Sequence, residues 1–131
     1  MAFQIHTLAD GRSTALEYLP AGAITPKMGM ALYQNGGNLA IAAGTTKPTY
    51  ICMCERETAL TAGEMIPVTR VLADVIYETT LSAAGTSLKR GDKVTIATGG
   101  EQVTATITDG VAEIVEIEDT AVGGKVRVRF A

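Results

Sequence analysis

Few residues of this chain combine the types and spacing that chemistry requires. The sequence contains one histidine, His6, and two cysteines, Cys52 and Cys54. A Ser-His-Asp or Cys-His system needs a histidine as its base, and His6 lies near the amino terminus, where rigid positioning is hard to arrange. We therefore expect His6 to be an ordinary surface histidine, and we predict no catalytic residue.

The two cysteines lie one residue apart in the apolar run Tyr50-Ile51-Cys52-Met53-Cys54. In a strand, residues i and i+2 face the same side, so the two thiols should be neighbours. Zinc is usually held by four ligands, as two cysteine pairs or as cysteine with histidine, and the sequence has no second pair. Because a buried free cysteine behaves as a small hydrophobe, we predict that both belong to the core and that the protein uses no metal and no cofactor.

Acidic residues suggest a further type of chemistry, a hydrolase with a carboxylate pair. A glycosidase places two carboxylates across a sugar and usually stacks that sugar on aromatic rings, but the chain has only 2 Phe, 4 Tyr and no Trp. Phosphate-loop, nucleophile-elbow and H-E-x-x-H motifs are also missing from the sequence. We interpret the clustered carboxylates as solvated faces: Glu55, Glu57, Glu113, Glu116, Glu118 and Asp119.

Composition and charge limit the possible partners. The chain has 131 residues and a net charge of −3, with basic and acidic residues spread over both halves. Nucleic-acid surfaces need clustered Lys and Arg or exposed aromatic rings, so we predict no nucleic-acid partner. No apolar run reaches the ~20 residues of a membrane helix, and no signal peptide is visible. These features predict a protein that folds in the cytoplasm and does not bind membranes.

Frequent turn residues predict an all-β fold. Fourteen glycines divide the chain into short runs, which is typical of a small β-barrel or β-sandwich-like domain. We distinguish an extended amino-terminal arm (residues 1–23), a β-rich core (24–81), and a carboxy-terminal region (82–131) that is either a β-hairpin subdomain or a continuation of the same domain. The alternative for residues 1–23 is an ordinary first strand followed by a loop.

Apolar runs between the turns predict the strands. Asn35-Gly36-Gly37 indicates a hairpin, because Asn and Gly tolerate positive φ, and the apolar run from Tyr50 is typical of a strand buried on both faces. Val103–Thr108 and Lys125–Phe130 alternate with a period of two. The predicted strands are residues 28–33, 39–43, 50–55, 65–69, 71–80, 94–98, 103–108, 111–117 and 125–130. The apolar residues of 111–117 also fit a helical spacing, and the Ile and Val content favours a strand there.

The cationic side of the last predicted strand carries Lys125, Arg127 and Arg129. We interpret it as the wet face of the strand, balanced by Glu113, Glu116 or Glu118 on a neighbour. Charges of this kind also discourage aggregation through a sheet edge. The alternative is docking to an acidic protein surface.

The segment Thr25-Pro26-Lys27-Met28, followed by Gly37-Asn38-Leu39, Gly44-Thr45-Thr46 and Ile51-Cys52-Met53, resembles the central pattern of tailed-phage head decoration proteins of the lambda type. In that family a T-P-x-M segment leads to a strand, a hairpin, a G-T-T turn and an apolar strand that begins G-I-L. The resemblance covers about 30 residues. Tyr50-Ile51 stands where the family has glycine, and the region after about Leu81 has no counterpart.

The resemblance implies a virion structural protein on the capsid exterior, made in the host cytoplasm. Such proteins form trimers, bind the major capsid protein, and order an amino-terminal arm by adding it to the shell. Alternatives are another non-enzymatic module, such as a fibre base, a head–tail accessory or a shell assembly protein, and a small hydrolase. The candidate interface residues are Phe3, Ile5, Leu8, Leu16, Tyr18, Thr25, Pro26, Gly44, Thr45, Thr46 and Pro48.

Overall fold

The computed structural model describes residues 2–7 and 15–130. These residues form strands and loops without a helix, so the described chain has no helix with the length and hydropathy of a membrane span. The strands are β1 (Gln4–Thr7), β2 (Leu16–Pro20), β3 (Ala31–Asn35), β4 (Asn38–Ile41), β5 (Tyr50–Cys52), β6 (Met65–Arg70), β7 (Ile76–Thr80), β8 (Lys93–Val94), β9 (Ala112–Ile117) and β10 (Lys125–Arg129).

The strands form two antiparallel sheets of five. Sheet A has the order β1-β7-β10-β9-β8, and sheet B has the order β2-β6-β5-β3-β4. Sheet B curls, and a single bridge between Ala21 and Leu39 joins its two ends, where the Gly22 amide donates to the Leu39 carbonyl over 2.9 Å. The predicted all-β, sandwich-like fold is confirmed, and the described strands form no closed barrel.

The main core lies between the two sheets. Sheet B contributes Ala31 and Ile51, the strands of sheet A contribute side chains such as Tyr77, Ile114 and Val128, and the segments between strands supply the rest. The Phe130 ring lies 5.2 Å from the Phe3 ring in an edge-to-face arrangement and 5.5 Å from the Tyr77 ring. Aromatic rings at these separations add to the free energy of area burial. They join the amino and carboxy ends of the described chain.

The other face of sheet B encloses a second core. Because side chains alternate across a strand, Leu32 and Cys52 point into this core while their neighbours Ala31 and Ile51 point toward sheet A. The loop after β5 covers it with Leu60. All three residues of β5 are buried, which confirms the prediction of a strand buried on both faces.

The outer face of sheet A is charged and paired. The Arg127 guanidinium contacts Glu116 at 2.9 Å and Glu78 at 3.4 Å, and Arg129 contacts Glu113 at 2.7 Å. Valine and phenylalanine at the alternate positions of β10 are buried. The predicted alternation and the predicted balance of cations by glutamates are both confirmed. This face is therefore built to remain in water.

Several predicted strand limits were wrong. The segment before β3 is a turn in which the Met30 amide donates to the Lys27 carbonyl, so β3 begins at Ala31 rather than at Met28. Residues 71–75 cross from sheet B to sheet A, which delays β7 to Ile76. In the predicted strand 103–108, the Thr104 hydroxyl accepts the Thr106 amide at 3.0 Å. The Thr104 amide and the Thr106 carbonyl both bond to the Thr95 backbone at 3.0 Å, but this pairing is irregular and only Val103 forms bridges.

The described part of the predicted arm consists of strands in this structure. Gln4–Thr7 pairs with β7, and Leu16–Pro20 pairs with β6 along its whole length. Burial of Phe3 between the sheets gives the physical reason, because an apolar ring of this size is costly to leave in water. The strands of residues 82–131 complete sheet A beside β7.

Candidate functional site

An exposed apolar strip follows β2 and β6 on the face of sheet B that carries Ile51. Leu16 is 55% exposed, Tyr18 62% and Met65 55%, and Pro67 beside them is half-buried. Tyr18 pairs with Pro67, and Pro20 pairs with Met65, so these side chains share one face of sheet B. We call Leu16, Tyr18, Met65 and Pro67 the apolar strip. Contiguous apolar surface of this kind usually marks a place where another molecule binds.

The strip is exposed because the two sheets are offset. The shared core includes side chains of β3 and β5 but none of β2 or β6. Leu16, Thr69 and Ile51 lie opposite one another on the neighbouring strands β2, β6 and β5. Leu16 is exposed, whereas Thr69 and Ile51 are buried. Sheet A therefore covers the middle of sheet B and leaves the β2–β6 side open.

A groove of about 350 Å³ adjoins the strip at the edge of sheet A. Met53 connects the two, because its amide donates to the Pro67 carbonyl at 3.0 Å, and Pro67 lies opposite Tyr18. The groove contains no titratable side chain among its described lining residues, which are Ala2, Phe3, Gln4, Ile5, Met28, Gly29, Ile51 and Met53. This chemistry suits the burial of apolar groups and offers no acid, base or nucleophile.

Gly29 fixes the floor of the groove. Its φ of +83° lies in the region that favours glycine, and a Cβ there would lie 2.7 Å from the Phe3 carbonyl oxygen. The Phe3 amide donates to the Gly29 carbonyl at 3.0 Å, and the Gly29 amide donates to the Cys52 carbonyl at 2.7 Å. The turn thus ties β1 to β5 and presents Met28, which is 49% exposed, at the rim.

The predicted interface residues occupy different environments. Ile5, Leu16 and Tyr18 are exposed around the groove and strip, whereas Phe3, Pro26 and Pro48 are buried. Leu8 lies outside the described residues. Thr25 and Thr46 are half-buried, and Gly44 and Thr45 are exposed in the turn after β4, at the far end of sheet B's strand order from β2. The structure therefore groups only part of the predicted set.

Sequence reasoning missed Met28, Met53, Met65 and Pro67 as surface residues. The sequence did contain a signal for Met65 and Pro67, because these two residues alternate with Ile66 and Val68, which are buried. That alternation identifies a shared face, but it does not tell whether another sheet covers the face.

The two thiols are neighbours, as predicted. The Cys52 and Cys54 Sγ atoms are 3.8 Å apart, and the Cys52 thiol donates to the Cys54 carbonyl at 3.3 Å. Cys52 is fully buried and Cys54 is half-buried, which confirms core packing for the former. Burial raises the pKa of the Cys52 thiol to about 12, and the nearby Cys54 also contributes. Among the described residues, no group of three His, Cys, Asp or Glu side chains could hold a metal ion.

High pH is expected to destabilise the fold through two buried acids. Burial raises the pKa of Cys52 from 9.0, and that of Tyr77 from 10.0, to about 12 in each case. The unfolded chain ionises first, so stability that is complete below pH 9 is lost as the pH rises toward 12. Each group contributes a slope of up to about 1.4 kcal/mol per pH unit. The free energy of unfolding can be measured with urea from pH 8 to 11 in reductant. Above pH 10 it should fall less for Tyr77→Phe than for wild type, and an equal fall in the two proteins would contradict this prediction.

The chain matches no known protein family and no curated protein.

Proposed function

We propose that this chain is a virion structural protein that decorates and stabilises the outside of a phage capsid. The observation that carries the proposal is the exposed apolar strip beside the groove. In this proposal the strip and groove bind the major capsid protein, and copies of the chain associate on the shell, with a trimer as the favoured state.

The distribution of charge supports a one-sided docking protein. The outer face of sheet A carries ion pairs centred on Arg127, whereas the strip on β2 and β6 is apolar. Removing ion-paired groups from water is costly, while burying apolar side chains is favourable. The strip side would therefore face a partner and the charged side would face solvent.

The family resemblance also supports the proposal. Its T-P-x-M residues form the turn before β3, its Asn38-Leu39 belongs to the β3–β4 hairpin, and its Ile51-Cys52 belongs to β5. Gly44 adopts a φ of +64°, as a tight turn at G-T-T requires. The order of turn, hairpin, turn and buried strand is the order that the resemblance implies.

A reconstitution experiment tests the proposal. Expanded heads of the encoding phage, prepared without this chain, are mixed with the purified protein and separated by sedimentation. We expect saturable binding, regular surface density in electron micrographs, and greater resistance of the heads to heat. Absence of binding to expanded heads would overturn the proposal.

Solution mass gives an independent measurement. The monomer has a mass of 13.7 kDa, so light scattering should give three times that value if the favoured trimer forms before docking. If the protein is a monomer in solution but forms regular clusters on heads, the copies associate at the shell. If it is a monomer in solution and binds heads without regular clusters, the oligomeric part of the proposal is contradicted.

A further inference from the structure

Two sulfur atoms lie close together at the end of β5. β5 ends at Cys52, and in a regular strand the side chains at i and i+2 are separated by about 6.6 Å, twice the rise per residue. The Cys52 and Cys54 Sγ atoms are only 3.8 Å apart. The Cys54 carbonyl also turns inward to accept the Cys52 thiol. The two thiols therefore converge, as disulfide formation requires, instead of running parallel.

We propose that Cys52 and Cys54 form a reversible internal disulfide, and that its redox state alters the neighbouring groove. The oxidant is a small-molecule disulfide. The disulfide itself stands independently of the proposed function; its effect on shell binding rests on that function.

Exposure assigns different roles to the two cysteines. The half-buried Cys54 is the accessible one, so its thiolate attacks a sulfur of the oxidant, forms a mixed disulfide and expels one small thiolate. The buried Cys52 thiolate then attacks the Cys54 Sγ atom and expels the second small thiolate. The protein loses two protons and two electrons, which the oxidant takes up to become two thiols. Since the thiolate is the nucleophile, burial of Cys52 makes the second step the slow one.

The short ring makes the disulfide easy to reduce. Cross-linking residues i and i+2 departs from relaxed disulfide geometry, and strained disulfides have more oxidising potentials. A glutathione-rich cytoplasm would keep the two thiols reduced, and an oxidising exterior would favour closure. A virion that is released from its host passes from the reducing cytoplasm to the oxidising exterior.

Met53 couples this pair to the groove. It lies between the two cysteines, lines the groove, and donates its amide to the Pro67 carbonyl of the strip at 3.0 Å. Because only Met53 separates the two cysteines, we expect that drawing their Sγ atoms from 3.8 Å to the ~2.0 Å of a disulfide rotates the intervening backbone as well as the two side chains. The Met53 side chain and amide should move with it.

Intact mass measures the disulfide directly. Wild-type protein is incubated with oxidised glutathione in excess at pH 8 and analysed without reductant. We expect a mass loss of about 2 Da and the disappearance of both titratable thiols, with full recovery after dithiothreitol. A product that retains bound glutathione, or both thiols remaining free, would overturn the proposal.

Single substitutions provide matched controls. Cys52→Ser should stop at the mixed disulfide, because the attacking thiol of the second step is missing. Cys54→Ser should leave the buried Cys52 thiol unreacted. A mixed disulfide that forms equally fast in both variants would contradict the assigned order of attack. Circular dichroism of each variant establishes that it is folded.

Hydrogen exchange tests the coupling without the shell. Oxidation should accelerate exchange of the Met53 amide by about tenfold or more, because its bond to Pro67 is disturbed, and it should weaken binding to heads. Unchanged exchange would overturn the coupling. If exchange changes but neither redox form binds heads, the proposed function fails while the disulfide and its effect on the groove stand.

Discussion

Replacing Tyr18 with glutamate is expected to weaken binding to expanded heads by about 30-fold or more while leaving the fold intact. Tyr18 is 62% exposed at the centre of the apolar strip, so an acidic side chain is tolerated in the free protein. On docking, that carboxylate must lose water without a partner, and loss of a central aromatic anchor alone costs about 2 kcal/mol. Sedimentation binding isotherms on heads measure the affinity.

Val122→Glu provides the matched control. Val122 is 67% exposed in the turn between β9 and β10 and does not belong to the strip or the groove. The same apolar-to-acidic change there should leave head binding within about twofold, because surface substitutions away from special features have small effects. Urea unfolding should place both variants within about 1 kcal/mol of wild type. Equal loss of binding in the two variants would exclude the strip as the docking surface.

A second strip position extends this test. Met65→Glu lies on β6, opposite Pro20 rather than Tyr18. If the whole strip is buried on docking, Met65→Glu should weaken binding in the same direction as Tyr18→Glu. A defect confined to Tyr18 would indicate a smaller contact, limited to Tyr18 and the Pro67 residue opposite it.

The sequence pattern was sufficient to predict those strands and turns whose conformation and burial depend on residues close to them in the chain. The alternation of β10 follows from valines between charged residues, and the hairpin at Asn35 follows from Gly36 and Gly37, whose φ values are +62° and +91°. β5 was recognisable because three successive apolar residues leave no wet face. In each case the physical cause lies within a few residues of the element.

The apolar strip could not be predicted, because its exposure depends on distant strands. Leu16 and Tyr18 alternate with Glu17, so a face could be recognised. Whether sheet A covers that face is decided by β7, β9 and β10, which come more than 50 residues later. The prediction of a strand at residues 103–108 was wrong for a local reason. The Thr106 amide bonds to the Thr104 side chain, and the backbone pairing of this segment is irregular.

The sequence left two alternatives for residues 1–23, an extended arm or a first strand followed by a loop, because composition does not reveal where an isolated aromatic residue packs. Phe3 stands without an aromatic neighbour in the sequence, and the partner that buries it, Phe130, lies at the other end of the described chain. Gly29, whose missing side chain admits Phe3, is also distant in sequence. The structure therefore places Phe3 in the core, and that placement has a measurable consequence.

Phe3→Ala is expected to lower the free energy of unfolding by about 3 kcal/mol. Phe3 is 2% exposed, and its ring contacts Phe130 between the sheets. Truncation of a buried phenylalanine loses transfer free energy and leaves a cavity, which together cost about 3–5 kcal/mol; partial collapse at the adjacent groove favours the lower end. Urea denaturation in reductant measures the change. Ile5→Ala, two residues along β1, is the control, because Ile5 is 36% exposed and its truncation should cost about 1 kcal/mol or less.

The comparison of these two variants distinguishes a structural strand from a free arm. If residues 2–7 were detached in solution, neither substitution would change unfolding, and both would act only when the protein binds heads. If β1 is part of the sandwich, Phe3→Ala destabilises the isolated protein before any partner is present. Loss of the strand should also open the groove, since Phe3 and Ile5 both line it. Stability in solution and affinity for heads should then fall together for Phe3→Ala, whereas Tyr18→Glu should reduce affinity alone.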